Sequence, residues 1–135
     1  MTLQSPSAIG ARSEMAVASA LQRSGMEVFV PIFAAHARVD LVVQAAAGLL
    51  RVQCKTARLL RGSLYFRTHS NTGNIAVDYR AQVDAFGVFS PDLELVYLVP
   101  IEHTAPRGCN LRVETPMNGQ RHGVRWAADY LIGPP

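Results

Sequence analysis

The chain of 135 residues has the length of one ordinary domain and can bury a single hydrophobic core without cross-links. Hydrophobic residues make up 49% of it and charged residues only 17%, which excludes a disordered chain and leaves a thinly charged surface suited to self-association. The net charge of +3 permits an anionic partner without requiring one. Two cysteines make no disulfide framework, and no signal peptide or long apolar run is visible, so we expect a soluble, cytoplasmic protein.

The choice of basic residue is more informative than their number. Twelve of the thirteen are arginine, and Lys55 is the only lysine. Arginine suits planar, bidentate contacts with phosphate groups. A genomic preference for arginine codons would explain the same skew, so the composition supports a phosphate-bearing partner without establishing one.

The first predicted element is a helix over residues 7–24. This segment is rich in alanine, follows Ser5-Pro6 and stops at Gly25, which together give a helix a start and an end. Spacings of three and four residues place Glu14 on a largely apolar side of the helix, together with Val17, Ala18 and Leu21.

A strand and a hairpin are predicted next. EVFVPIF (27–33) indicates a short strand, and Pro31 suits the end of a strand or the edge of a sheet. RVDLVVQ (38–44) and LLRVQCKT (49–56) are both compatible with β-structure. Residues 45–48 separate them, which predicts a hairpin with a loop of about four residues.

A symmetric hairpin determines which side chains share a face of the sheet, because side chains alternate along a strand. The expected facing pairs are Asp40 with Gln53, Arg38 with Lys55, and Val42 with Arg51. The core face then carries Val39, Leu41, Val43, Leu50, Val52 and Cys54. The polar face carries Arg38, Asp40, Arg51, Gln53 and Lys55.

Weaker patterns complete the chain. SLYFRT (63–68) predicts a strand, HSNTGN (69–74) a polar loop, and residues 79–89 a helical turn followed by a strand. LELVYLVPI (93–101) predicts a buried strand, residues 111–114 a further strand, and GVRWAADYLI (123–132) a last helix. We therefore expect one α/β domain over residues 1–135, with a mixed sheet flanked by helices.

The polar face of the hairpin has the residues that phosphodiester hydrolysis requires. Asp40 supplies a carboxylate, and the amide oxygen of Gln53 and the backbone carbonyl of Cys54 supply neutral oxygens, which suit Mg²⁺ or Mn²⁺. Lys55, two residues beyond Gln53, would polarise the attacking water or hold the phosphate. Glu14 would complete the site from the helix, and a metal or the lysine would compensate its place on an apolar side.

Each of these residues also has an ordinary structural interpretation. Asp40 would pair with a neighbouring arginine, Gln53 and Lys55 would be solvated, and Glu14 would form a salt bridge. Their joint placement favours the site. The four histidines have neither HxH nor HxxxH spacing, which argues against a zinc site or an HNH-type nuclease.

The order of these residues resembles that of the PD-(D/E)XK nuclease superfamily: a helix with Glu14, then VDLVV, a tight hairpin and RVQCKT. Within the superfamily the chain resembles the intron-encoded homing endonucleases, in which glutamine replaces the variable acid. The later pattern of that branch is matched by Tyr79, by VDAF (83–86) and by VYLVP (96–100). The resemblance covers about residues 7–130 and implies a restriction-endonuclease-like fold.

The resemblance also implies an activity. We expect divalent-metal-dependent hydrolysis of duplex DNA at specific sites by Glu14, Asp40, Gln53 and Lys55, in a homodimer or homotetramer. The expected metal ligands are Asp40, Gln53, the Cys54 carbonyl and Glu14. The expected DNA-backbone contacts are Arg12, Arg38, Arg51, Arg58, Arg61 and Arg67. Two alternatives stay open: a structure-selective nuclease resembling Holliday-junction resolvases, and a non-catalytic DNA-binding or assembly protein that retains the fold.

Overall fold

The computed structural model describes residues 4–33, 38–72, 75–78, 82–115, 118–119 and 122–133. One α-helix and ten strands lie within these ranges. They are α1 (Pro6–Arg23), β1 (Glu27–Phe29), β2 (Leu41–Ala45), β3 (Gly48–Thr56), β4 (Arg58–Leu60), β5 (Ser63–Arg67), β6 (His69–Thr72), β7 (Ile75–Asp78), β8 (Ala85–Ser90), β9 (Leu95–Pro100) and β10 (Gly108–Arg112). Among the described residues, no helix combines the length and apolarity needed to cross a membrane.

Helix α1 confirms the first predicted element to within a residue at each end. The Ser5 hydroxyl accepts a hydrogen bond from the Ala8 N–H at 3.2 Å, and Pro6 occupies the first turn, where no amide donor is needed. The buried side of α1 differs from the expected one, since it contains Ser13, Val17, Ala20 and Leu21. Glu14 lies beside this stripe and is exposed, not on it.

The central sheet has five strands in the order β1-β2-β3-β8-β9, with β3 and β8 parallel and the other neighbours antiparallel. The predicted hairpin register is confirmed, because Val42 faces Arg51 and the pairing continues to Ala45 and Gly48. The loop is shorter than expected. Both strands extend further, so only two residues, 46–47, form the turn.

Helix α1 packs closely on one face of this sheet. Val17 and Leu21 are fully buried against Leu41, Val43 and Val52, as expected for the apolar face of the hairpin. A Cβ atom at Gly87 in β8 would lie 2.5 Å from a methyl carbon of Val17. Since only glycine permits this approach, the helix carrying Glu14 is held tightly against the sheet.

The opposite face of the sheet is also covered, by a second sheet of order β10-β5-β4. Phe66 of β5 contacts Phe86 of β8 edge to face, with ring centroids 5.7 Å apart. Val39 packs against this second core, although we expected it on the helix side. Because Gln53 is paired with Phe86, the polar face of the hairpin adjoins a core.

Three weaker predictions differ from the structure. The polar loop predicted at 69–74 is partly strand, since β6 and β7 pair with each other. Strand β10 begins at Gly108, earlier than the predicted residue 111. The predicted last helix is only a 3₁₀ turn at Ala127–Tyr130. It ends there because the following residues cover the edge of β9, where the Ile132 N–H donates to the Val96 carbonyl at 2.9 Å.

Candidate active site

Asp40 lies one residue before β2 and is fixed to β3 by two hydrogen bonds. Its N–H donates to the Val52 carbonyl at 2.9 Å, and its carboxylate accepts from the Cys54 N–H at 2.8 Å. The carboxylate is therefore bound to the backbone residue that lies between Gln53 and Lys55. This bond therefore holds Asp40 next to the segment Gln53-Cys54-Lys55, as predicted from the motif.

The carboxyl group of Asp40 interacts electrostatically with both Glu14 and Lys55. Burial raises the pKa of the Asp40 carboxyl, while the Cys54 N–H and the charge of Lys55 oppose that rise. Burial, and then the negative charge of Asp40, raises the pKa of Glu14. Asp40 is thus within electrostatic range of both Glu14 and Lys55. The two acids repel each other in a way that a cation would relieve.

Gln53 contributes a buried oxygen that has no partner. Among the described side chains, its Oε1 is the one buried polar atom without a hydrogen bond. A buried acceptor of this kind costs free energy unless something binds it, and such atoms occur where a ligand or ion is used. Gln53 is the fourth predicted residue, and on β3 it lies two residues from Lys55.

The oxygen atoms at this place suit a divalent metal of the Mg²⁺ or Mn²⁺ type. Hard cations prefer carboxylate and amide oxygens, which Glu14, Asp40 and Gln53 provide. Among the described residues, no three His, Cys, Asp or Glu side chains form a metal-binding group. An ion bound here would therefore need the Gln53 oxygen beside the two carboxylates. The thiol of Cys54 suits this role less, because burial raises its pKa and keeps it protonated.

The family model described as a PD-(D/E)XK endonuclease matches residues 4–132. The chain belongs to the PD-(D/E)XK endonuclease family. This nuclease shares its fold with a bacterial homing endonuclease, I-Ssp6803I, at a TM-score of 0.68 and 22% sequence identity. The alignment covers 96% of this chain and 88% of that one, which confirms the restriction-endonuclease-like fold. No curated protein matches the sequence.

Ser13 and Thr56 of this nuclease were not among the residues predicted to lie near the site. Their hydroxyls share a hydrogen bond of 2.5 Å that joins α1 to β3, and Ser13 is buried. Each is the chain neighbour of a predicted site residue, Ser13 of Glu14 and Thr56 of Lys55. A serine at helical spacing from Val17 and Leu21 was the available signal, because a polar residue on an apolar stripe needs a partner.

The arginines that we expected to contact DNA lie in several parts of the nuclease. Arg12 on α1 and Arg58 on β4 line one cleft. Arg61, with a positive φ of 53°, lies in the turn after β4, and Arg67 ends β5. Arg38 lies two residues before Asp40, and Arg51 lies on β3.

The charge of Arg51 is used within the protein. Its guanidinium donates to both carboxylate oxygens of Asp84 at 3.0 Å, and its backbone N–H donates to Oδ2 at 2.7 Å. This pair lowers the pKa of Asp84 and joins β3 to the start of β8. Its geometry explains why an aspartate stands in the VDAF segment.

Proposed function

We propose that this chain is a divalent-metal-dependent endonuclease that hydrolyses phosphodiester bonds of duplex DNA at specific sites. The observations that support the proposal are the electrostatic interactions of Asp40 with Glu14 and Lys55, and the buried, unpartnered Oε1 of Gln53, which lies two residues from Lys55 on β3. Membership of the endonuclease family makes it a nuclease; the metal, the duplex and the specificity are what we add. Free Cys54 and Cys109 agree with a reducing, cytoplasmic location.

In the proposed reaction the residues divide between two roles, which are binding the metal ion and acting on the attacking water or the phosphate. Asp40, Gln53 and Glu14 would hold Mg²⁺ or Mn²⁺, with the Cys54 carbonyl as a further ligand. A bound ion of this kind supplies positive charge to the phosphate and lowers the pKa of water. Lys55 would orient the attacking water or contact the scissile phosphate oxygen, where its positive charge counters the charge that develops. The Cys54 N–H holds the Asp40 carboxylate in place during these steps.

Duplex DNA with a specific site is the substrate that we favour. The structural neighbour I-Ssp6803I is a homing endonuclease, and the excess of arginine suits contacts with a phosphate backbone. We propose that Arg12, Arg38, Arg58, Arg61 and Arg67 make those contacts. Arg51 should contribute least, since its guanidinium is paired with Asp84.

A cleavage screen tests this proposal directly. The purified chain would be incubated with a plasmid library in Mg²⁺, in Mn²⁺ and in EDTA, and the ends would be mapped by sequencing. Cuts confined to a few sequences, and absent in EDTA, would support a site-specific enzyme. Cutting of synthetic four-way junctions in preference to linear duplexes would instead indicate a resolvase-like nuclease. Binding without any cutting would indicate a non-catalytic DNA-binding protein.

Contacts with the DNA backbone predict a salt-dependent affinity. Arg58→Ala or Arg61→Ala should weaken binding to all duplexes similarly and reduce the slope of log affinity against log salt by about one for each lost contact. Fluorescence anisotropy across a series of salt concentrations measures this slope. A changed sequence preference at an unchanged slope would contradict a backbone role for these arginines.

Two copies are needed if one site cuts one strand, so we propose a homodimer or a homotetramer. The surface around Trp126 and Tyr130 is our candidate interface. It adjoins an apolar groove of about 300 Å³, whose wall includes Leu93, Leu95 and Leu131. Such an exposed apolar surface is typical of protein contacts.

If the groove is part of the interface, one charge introduced there should break the oligomer. Leu95→Asp introduces a carboxylate into the groove, at a strand residue that is 39% exposed, and should give a monomer in light scattering. Leu49→Asp is the matched control, because Leu49 is also an exposed leucine, at 61%, and lies on β3 outside the wall of the groove. A wild-type chain that is monomeric both free and on DNA would contradict the proposal.

A further inference from the structure

A cleft of about 510 Å³ opens beside the candidate active site. The early part of α1, the segment 56–59 and the turn after β8 form its walls. Ser13 and Thr56, whose hydrogen bond joins α1 to β3, are both part of the wall. Since these two residues are the chain neighbours of Glu14 and Lys55, the cleft borders the backbone of the candidate site. Its volume is that of a pocket for a small ligand.

The charge of the cleft favours an anion. Arg12 and Arg58 both line the cleft and are exposed. Within the described part of the chain, neither guanidinium group has an ion-pair or hydrogen-bond partner. Asp92 also lines it, but its carboxylate accepts a hydrogen bond from the Leu59 N–H at 3.1 Å. The two guanidinium groups outnumber the one carboxylate, which already accepts a hydrogen bond, so the net charge of the cleft is positive. Two neighbouring arginines suit phosphate oxygens.

A further part of the cleft wall is apolar, and inorganic phosphate alone would make no contact with it. Ile9, Leu59, Phe89 and Pro91 contribute to it. Ligands of mixed character gain affinity by placing an apolar part on such a wall and a charged part on a few polar groups. A nucleotide has this combination, because its sugar and base offer apolar surface and its phosphate is anionic.

We propose that this cleft binds one nucleotide unit of a substrate strand. The phosphate lies between Arg12 and Arg58, and the sugar covers the apolar wall beside Leu59 and Pro91, so that the base can stay paired in the duplex. The ligand class rests on the proposed function, because a nuclease substrate is the source of such a unit. The cleft then grips the strand next to the residues that cut it.

Binding of a mononucleotide tests the cleft without requiring cleavage. The full chain, labelled with ¹⁵N and free of divalent metal, would be titrated with thymidine 5′-monophosphate, thymidine and inorganic phosphate. Amide shifts of residues 57–59 would report occupancy. We expect the nucleotide to bind about tenfold or more tightly than either part, since it uses both kinds of wall. Arg12→Ala and Arg58→Ala should each weaken it about tenfold.

Arg23→Ala is the matched control, because Arg23 is an exposed arginine at the other end of α1. It should leave nucleotide binding unchanged. The proposal is wrong if the nucleotide fails to bind or binds no more tightly than phosphate. It is also wrong if the Arg12 and Arg58 variants behave like the control. Nucleotide binding with the expected pattern, in a chain that cuts no DNA, would refute the proposed function and support the cleft.

Discussion

Asp40→Ala and Lys55→Ala should each reduce DNA cleavage in Mg²⁺ by at least about a thousandfold. Asp40 would lose a metal ligand, and Lys55 would lose the charge that acts on water or phosphate. Neither change opens a cavity in the core, so folding and DNA binding should be largely retained. Single-turnover cleavage of a fixed duplex, with anisotropy measured on the same duplex, separates the chemical step from binding.

The hydrogen bond from the Cys54 N–H to the Asp40 carboxylate calls for a further variant. Asp40→Ala leaves that donor unpaired, which costs about 1–3 kcal/mol of stability. Asp40→Asn keeps an oxygen that can accept the bond, and it should be as inactive but more stable. Glu14→Gln should be milder than Asp40→Ala, because Glu14 is exposed and only assists from α1.

An ordinary surface acid provides the control for these variants. Glu102→Ala changes an exposed residue of a 3₁₀ turn and should cut at the wild-type rate. Wild-type cleavage by Asp40→Ala or Lys55→Ala would show that the proposed site is wrong. If both variants instead melted at much lower temperature, their role would be structural and the non-catalytic alternative would gain.

The parts of the fold that local patterns determine were predictable from the sequence. The register of the hairpin is one, because alternating apolar residues on two adjacent strands leave a single arrangement that buries Leu41, Val43 and Val52 together. Helix α1 is another, since Ser5, Pro6 and Gly25 are local signals for its start and end. The placement of Asp40 near Lys55 follows from that register.

Other features depend on contacts between distant segments. Apolar and polar residues do not alternate in the segment that forms β6, so its sequence did not predict a strand. The segment is a strand because it pairs with β7. The last segment contains helix-compatible residues, but its pairing with the edge of β9 limits it to a 3₁₀ turn. The Ser13–Thr56 hydrogen bond spans 43 positions, and the sequence pattern indicates that Ser13 needs a partner but not which residue that partner is.

Gln53→Leu should abolish cleavage without destabilising the protein. Leucine has a similar size and removes an amide oxygen that is buried without a hydrogen bond. The free energy of unfolding should therefore be unchanged or higher by up to about 2 kcal/mol, since an unsatisfied polar group is lost. A loss of activity together with equal or greater stability is the pattern of a residue kept for function. Urea unfolding and single-turnover cleavage measure the two effects.

Gln53→Glu tests the same position in the opposite direction. It keeps an oxygen ligand and adds a negative charge, so we expect measurable cleavage and tighter binding of Mg²⁺ by calorimetry. Without a divalent ion, the added carboxylate should lower the melting temperature, because its charge replaces a buried amide oxygen and repels the carboxylate of Asp40. Added Mg²⁺ should restore more stability to this variant than to the wild type, as binding to the folded state requires. Equal responses of the two proteins to Mg²⁺, or wild-type cleavage by Gln53→Leu, would show that the Gln53 oxygen does not bind the ion.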